Sequence, residues 1–167
     1  ARHTVVRQAL EPAWEAKLSP HTYGFRPGRS CHDAIGAIFT AIRFRPQYAL
    51  TLDIAKCFDR IDHQALLAKV PAPPRLRRQL KAWLKAGILE DGHLSPTTAG
   101  TPQGGSCSPL LALIALHGME QAITRVYPHA RVIAYADDGV VLHKERQVLE
   151  HCQELLKTWL AEMGLSL

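Results

Sequence analysis

Ala134-Tyr135-Ala136-Asp137-Asp138-Gly139-Val140-Val141-Leu142 sets two adjacent aspartates between two apolar runs, Arg131–Ala134 and Val140–His143. Runs of this length and composition read as short buried strands. The simplest arrangement is a hairpin with Asp137 and Asp138 at its tip and Gly139 free to adopt the positive φ of a tight turn. Asp-Asp at a hairpin tip is also ordinary turn chemistry. Two carboxylates ~4 Å apart repel by ~4 kcal/mol at an effective dielectric of ~20. A divalent cation reverses that term, and an oxygen-only donor set favours Mg²⁺ or Mn²⁺.

A third carboxylate arrives from far earlier in the chain. Tyr48–Leu52 reads as a strand that ends on Asp53, and Leu52–His63 then packs Asp53, Asp59 and Asp62 into a strand-to-helix turn. Asp62 or Asp59 suits the cap of a following helix with Leu66, Leu67 and Val70 inward. Asp53 closes an apolar strand and is poorly placed for capping. If the two strands are neighbours, Asp53 joins Asp137.

Around these lie two loops with little structural reason for their composition. Tyr23-Gly24-Phe25-Arg26-Pro27-Gly28-Arg29-Ser30 combines breakers, two arginines and two aromatics. It suits phosphate contacts from Arg26 and Arg29 beside stacking by Tyr23 and Phe25, or equally a rigid connector with solvated arginines. Gly100–Pro109 gathers three glycines around Gln103, so a backbone can approach a ligand while an amide projects into it. Between them, a helix expected over Arg75–Ala86 carries Arg75, Arg77, Arg78, Lys81 and Lys85 with no acid among them, a solvated face or a nucleic-acid contact.

The remaining periodicities predict helices. The first covers Arg2–Leu18 and is kinked or split at Pro12; the second runs from an N-cap at Ser30 to Phe44 with Ala34, Ile35, Ile38, Ala41 and Ile42 inward. Asp91-Gly92 marks a small hairpin. Ser108 caps a helix with Pro109 at its first position that continues to Val126. A last amphipathic helix spans Glu145–Met163 and stops at Gly164. The chain has 167 residues, 47% hydrophobic and 21% charged, with a formal charge of +5. That is an ordinary globular balance for one compact unit, with mild preference for a polyanionic partner. No apolar run approaches the ~18 residues of a membrane span, and no secretory signal is expected. Cys31, Cys57, Cys107 and Cys152 lack metal-site spacing and suggest reduced thiols in a cytoplasmic setting.

Taken in order, YGFRPGRSCHDAI, LDIAKCFDRIDH, GTPQGG with SPLLA after it, and YADD resemble the sequence blocks of reverse transcriptases, of the bacterial group II intron-encoded reverse transcriptase/maturase type. The resemblance implies an α+β fold, a right-hand polymerase palm with a small antiparallel sheet and part of the fingers. It assigns 1–29 and 61–106 to fingers and 30–60 and 107–167 to palm. It implies an RNA-directed DNA polymerase that extends a DNA primer on an RNA template with deoxynucleoside triphosphates, associated with intron RNA in a nucleoprotein and with no membrane.

By the same resemblance Asp53 and Asp137 hold two Mg²⁺ ions (Mn²⁺ as substitute), with Asp138 supporting and the Ile54 carbonyl completing a shell. Phe58 excludes a ribose 2′-hydroxyl, Gln103 and Gly104 contact the incoming nucleotide, and Tyr135 packs near the primer terminus. Arg26, Arg29, Arg75, Arg78 and Lys81 meet nucleic acid. Three departures stand out: Gly139 where the family has an aromatic residue, Leu113 in place of Asn, and Ser106-Cys107 in place of aliphatics. The pattern also lacks the family's first fingers blocks, primer grip and thumb, so these residues alone are expected to fold but polymerise weakly or not at all. Two further readings stay open, a non-catalytic RNA-binding scaffold or remnant, and the same polymerase in a CRISPR-associated fusion.

Overall fold

The computed structural model describes residues 2–90, 93–95, 97–101 and 105–167. In chain order its elements are α1 (Arg2–Glu15), α2 (Cys31–Ile42), β1 (Tyr48–Asp53), α3 (Cys57–Arg60), α4 (His63–Lys69), α5 (Pro74–Leu84), β2 (Ile88–Glu90), β3 (His93–Ser95), α6 (Ser108–Leu116), α7 (Met119–Thr124), β4 (Arg131–Tyr135), β5 (Asp138–His143) and α8 (Arg146–Glu162). β1, β5 and β4 form an antiparallel sheet in that order, while β2 and β3 form a separate two-stranded sheet.

Both faces of the sheet carry packed residues, although Ala49 and Thr51 of the edge strand β1 stay exposed, and the period of two along the strands divides the residues between the faces. Leu52, Val132, Ala134 and Val141 join the main core, to which α8 contributes Leu149, Cys152, Leu156 and Leu160. Ile133, Val140 and Leu142 join Tyr23 and Ala34, under α2. The α8 residues recur at three- and four-residue spacing, and each fully buried leucine contributes about 1.5–3 kcal/mol. Gly164, at φ +74, ends that helix: Leu165 N–H donates to Leu160 O and Gly164 N–H to Ala161 O, closing its last carbonyls.

Local capping follows the side chains. Ser30 and Asp33 form a reciprocal capping box at α2. The Asp62 carboxylate accepts from Ala65 N–H at 2.7 Å at the start of α4.

Four expectations are corrected. Pro12 does not split α1, which runs from Arg2 to Glu15 as one helix with Pro12 on its exposed face. Ile35 and Ile42 of α2 face outward at 60% and 39% exposure, because only the Ala34 side of that helix rests on the sheet. The helix expected to run from Ser108 to Val126 is two, divided at Gly118 (φ +106), where an added Cβ would press to 3.3 Å from the Trp159 ring. Its N-cap is Cys107, with Ser108 already helical. The turn expected at Asp91-Gly92 lies outside the described residues.

Candidate active site

Three carboxylates converge where β1, β5 and the β4–β5 hairpin meet. Antiparallel register sets Asp53 directly opposite Asp138, and Tyr135 opposite Asp138 on the other side. The connecting loop is Ala136-Asp137, so Asp137 occupies the tip. The positive φ of that turn falls on Ala136 (φ +56), not on Gly139 as the sequence suggested. Gly139 lies within the sheet between Leu52 and Ala134, and it answers a shortage of room: a Cβ there would come within 3.2 Å of the Ile133 carbonyl. The Gly139 departure therefore belongs to close strand packing.

The electrostatics of this cluster are those of unneutralised like charges. The Asp138 carboxyl is held above the usual carboxylate range by burial first, then by Asp137 and Asp53. The Cys57 thiol behind it is pushed up to about 12, by burial with Asp137 adding. Among the described residues, every ion pair lies elsewhere. As the side chains stand, no three described His, Cys, Asp or Glu residues already close around an ion. An oxygen-only, mutually repelling donor set on two adjacent strands nevertheless fits a hard divalent cation.

Two loops are fastened to this centre. Tyr23 N–H donates to Ala134 O at 2.8 Å, and Ala134 N–H donates to His21 O at 2.9 Å, a parallel bridge along the outer edge of β4. Gly24 then lies flush on the hairpin: any Cβ at that position would fall inside contact distance of the Ala136 amide nitrogen. On the other side, Thr101 N–H donates to Phe58 O at 2.6 Å and Gly100 N–H to Ile61 O at 2.8 Å, while the buried His63 ring holds the Gly100 carbonyl at 2.7 Å. Gly100 and Thr101 are thus tied to the segment that carries Phe58. Gln103 and Gly104 themselves lie outside the described residues.

Phe58 stands half-buried on α3, and its ring meets that of Phe25 edge to face at 5.7 Å between centroids. The non-glycine residues with positive φ among those described are Phe25, Lys56 and Ala136, and all three border this centre. Each such backbone costs about 1–3 kcal/mol, and clustering of that kind marks functional sites.

The arginines of the Tyr23–Ser30 loop divide. Arg26, expected at a phosphate, is instead a buried tie: its Nε donates to both Glu15 carboxylate oxygens at 3.0 Å and its Nη1 to the Ser19 and Thr22 carbonyls at 2.6 and 2.8 Å. With only 3% of its side chain exposed, no face of the guanidinium remains for a nucleic acid. Arg29 lies over the Tyr23 ring, half-buried, and Tyr135 is 39% exposed beside the carboxylates. Arg75, Arg78 and Lys81 are exposed on α5, an element outside the carboxylate sheet. With Arg77 and Lys85, Arg78 and Lys81 line an open groove against His63 and Gln64 of α4.

The family model described as "Reverse transcriptase (RNA-dependent DNA polymerase)" matches residues 3–167. The chain belongs to the reverse transcriptase family. The group II intron-encoded protein LtrA of Lactococcus lactis subsp. cremoris is 37% identical to this reverse transcriptase domain over 127 residues, covering 72% of the domain and 20% of the relative. An uncharacterized 91 kDa protein in the cob intron of Schizosaccharomyces pombe is 36% identical over 122 residues, 71% of the domain and 15% of the relative. The domain therefore spans a fifth or less of the length of these relatives. Apo telomerase from Candida tropicalis superposes with a TM-score of 0.68 at 12% identity, covering 97% of the domain and 38% of that chain. That likeness is one of fold: a small antiparallel sheet under helices, the palm of the family with part of its fingers. Among the described residues no helix is long and apolar enough to cross a membrane.

Sequence reasoning missed the strained trio, the Phe25–Phe58 contact and the Thr22–Ala134 bridge. Gly24 beside a bulky residue was the available signal for close approach, but it does not name the partner.

Proposed function

We propose that this domain is the catalytic core of an RNA-directed DNA polymerase of the group II intron type, extending a DNA primer on an RNA template. The observation that carries the reading is the register of Asp53 on Asp138, with Asp137 at the adjoining tip and no described cationic side chain paired to any of them. Asp53, Asp137 and Asp138, with the Ile54 carbonyl beyond β1, would hold Mg²⁺ or Mn²⁺. Two such ions, when bound, supply an activated primer hydroxyl and neutralise the leaving pyrophosphate.

The chain's own residues orient the rest. Phe58, rising from α3 directly after the Asp53 strand, excludes a 2′-hydroxyl from the sugar position. Gln103 and Gly104, which follow in sequence the Gly100 and Thr101 tied to that helix, bind the incoming nucleotide. Tyr135 packs at the primer end, Arg29 offers a phosphate contact beside the hairpin, and Arg75, Arg78 and Lys81 hold the nucleic acid away from the centre. Residues 1–29 and 61–106 act as fingers, 30–60 and 107–167 as palm, and intron RNA in a nucleoprotein is the natural partner.

Primer extension by the full-length protein with an RNA template, a DNA primer, Mg²⁺ and four deoxynucleotides tests the reading. Asp53→Asn and Asp137→Asn should each reduce extension by at least about 10³-fold, in line with removal of a metal-organising carboxylate. Extension that survives Asp137→Asn at near wild-type rate would overturn it.

A further inference from the structure

We propose that Phe25 is a positioning residue for Phe58, and that its strained backbone is maintained to aim its ring at the sugar-selecting side chain. This rests on the polymerase reading above for what Phe58 does, although the contact itself does not.

Phe25 occupies the left-handed region at φ +60, which a bulky side chain rarely adopts, and it is 41% exposed. Burial of its ring therefore does not explain why the position is not glycine. Its neighbours do explain how the conformation persists. Gly24 has no room for a Cβ against Ala136, and Arg26 is fixed by Glu15, Ser19 and Thr22. Tyr23 is hydrogen-bonded to Ala134, and the Arg29 guanidinium lies over the Tyr23 ring. Residues on both sides of Phe25 are thus immobilised on α1 and on the carboxylate hairpin.

What Phe25 contributes is the edge-to-face contact, with ring centroids 5.7 Å apart and planes at 77°. Phe58 needs such a support. It sits on a four-residue helix, after Lys56, whose backbone is also left-handed at φ +50. Its carbonyl is held by Thr101 N–H, which fixes the main chain and leaves ring rotation to its neighbours. Because the Phe25 loop is bonded to the strand preceding Asp137, the ring selecting the sugar and the carboxylates share one frame.

The test compares Phe25→Gly, Phe25→Leu and Phe58→Ala, alone and combined, in the full-length protein. Phe25→Gly removes the ring and relieves the backbone, so folding stability should be unchanged or higher. Preference for deoxy- over ribonucleotides, read as the ratio of kcat/KM, should nevertheless fall roughly two- to tenfold, the range an aromatic pair supports. Phe25→Leu, which retains bulk, should lie between. The double variant Phe25→Gly/Phe58→Ala should discriminate no worse than Phe58→Ala alone, since Phe25 acts only through Phe58.

An independent readout uses 4-fluorophenylalanine incorporated in place of Phe58. Its ¹⁹F resonance should shift and broaden when Phe25→Gly removes the neighbouring ring. An unmoved resonance, or additive losses in the double variant, overturns the proposal. Loss of all polymerisation in the wild-type protein would instead count against the polymerase reading, leaving the fluorine signal to decide the role of Phe25.

Discussion

Lys69 shows how much a single side chain can hold. Its ammonium donates to the Ala115 and His117 carbonyls at 2.6 and 2.8 Å, closing the end of α6, and it lies 4.5 Å from the Trp159 ring centroid. Burial draws its pKa down to about 8, with Glu162 opposing. An unfolded lysine titrates near 10.4, so between about pH 8 and 10.4 the unfolded chain holds the extra proton. Stability from this residue therefore rises with pH across that window, by up to about 1.4 kcal/mol per unit, and the cost of the buried charge is fully present below it. Cys57 works in the opposite sense: with its folded pKa raised to about 12, it loses stability as pH climbs past its unfolded value. Urea midpoints of wild type and Lys69→Met at matched pH cancel the Cys57 contribution. The wild-type advantage should grow between about pH 7.5 and 10; a constant difference would mean that Lys69 does not titrate there.

At the scale of elements, short local signals were readable and long-range seating was not. Ser30 before an apolar run, Asp62 before Leu66, and the spacing of Leu149, Cys152, Leu156 and Leu160 each name a local structure through chemistry that neighbouring residues complete. The strand ending on Asp53 and the two strands flanking Asp137 were legible for the same reason. The break at Gly118 was not, because its cause is the Trp159 ring from another helix. Arg26 misled because an arginine in a glycine- and proline-rich loop looks solvated, and nothing nearby in sequence announces Glu15 eleven residues earlier as its partner. Gly24 is the position most exposed to test. Gly24→Ala forces a methyl against the Ala136 backbone, and overpacking of this kind costs about 1–3 kcal/mol or more. Thermal denaturation should register that loss. Amide exchange should report faster opening at Ala134, whose N–H is given to His21. Unchanged protection at Ala134 would mean that the loop and hairpin are not joined as described.

For the whole molecule, the distribution of charge adds to what bulk composition gives. The chain carries +5, and α5 with its C-cap Lys85 contributes five cations that no described carboxylate engages. Binding to an RNA–DNA duplex should weaken linearly in log–log form as salt rises, because each phosphate neutralised releases counterions. Combining Arg78→Ala with Lys81→Ala should flatten that slope by about 1.4–1.8, roughly 0.7–0.9 for each phosphate no longer neutralised. A slope identical to wild type would place the nucleic acid on another face.

The pairing of Asp53 with Asp138 also has a consequence in time. The β4–β5 hairpin is a local structure and can close within microseconds, but it brings only Asp137 and Asp138 together. Asp53 reaches them only when β1 closes on β5 across the whole stretch that contains α3 to α7, a non-local pairing whose loop entropy must be met before it is rewarded. A cation that needs all three carboxylates therefore has no binding site in any half-folded chain. Its affinity acts wholly on the native state, stabilising it by RT ln(1 + [L]/Kd) and slowing the separation of β1 from β5. During synthesis an ion held by all three carboxylates would thus arrive as the final clasp, after the strand made early has found the hairpin made late.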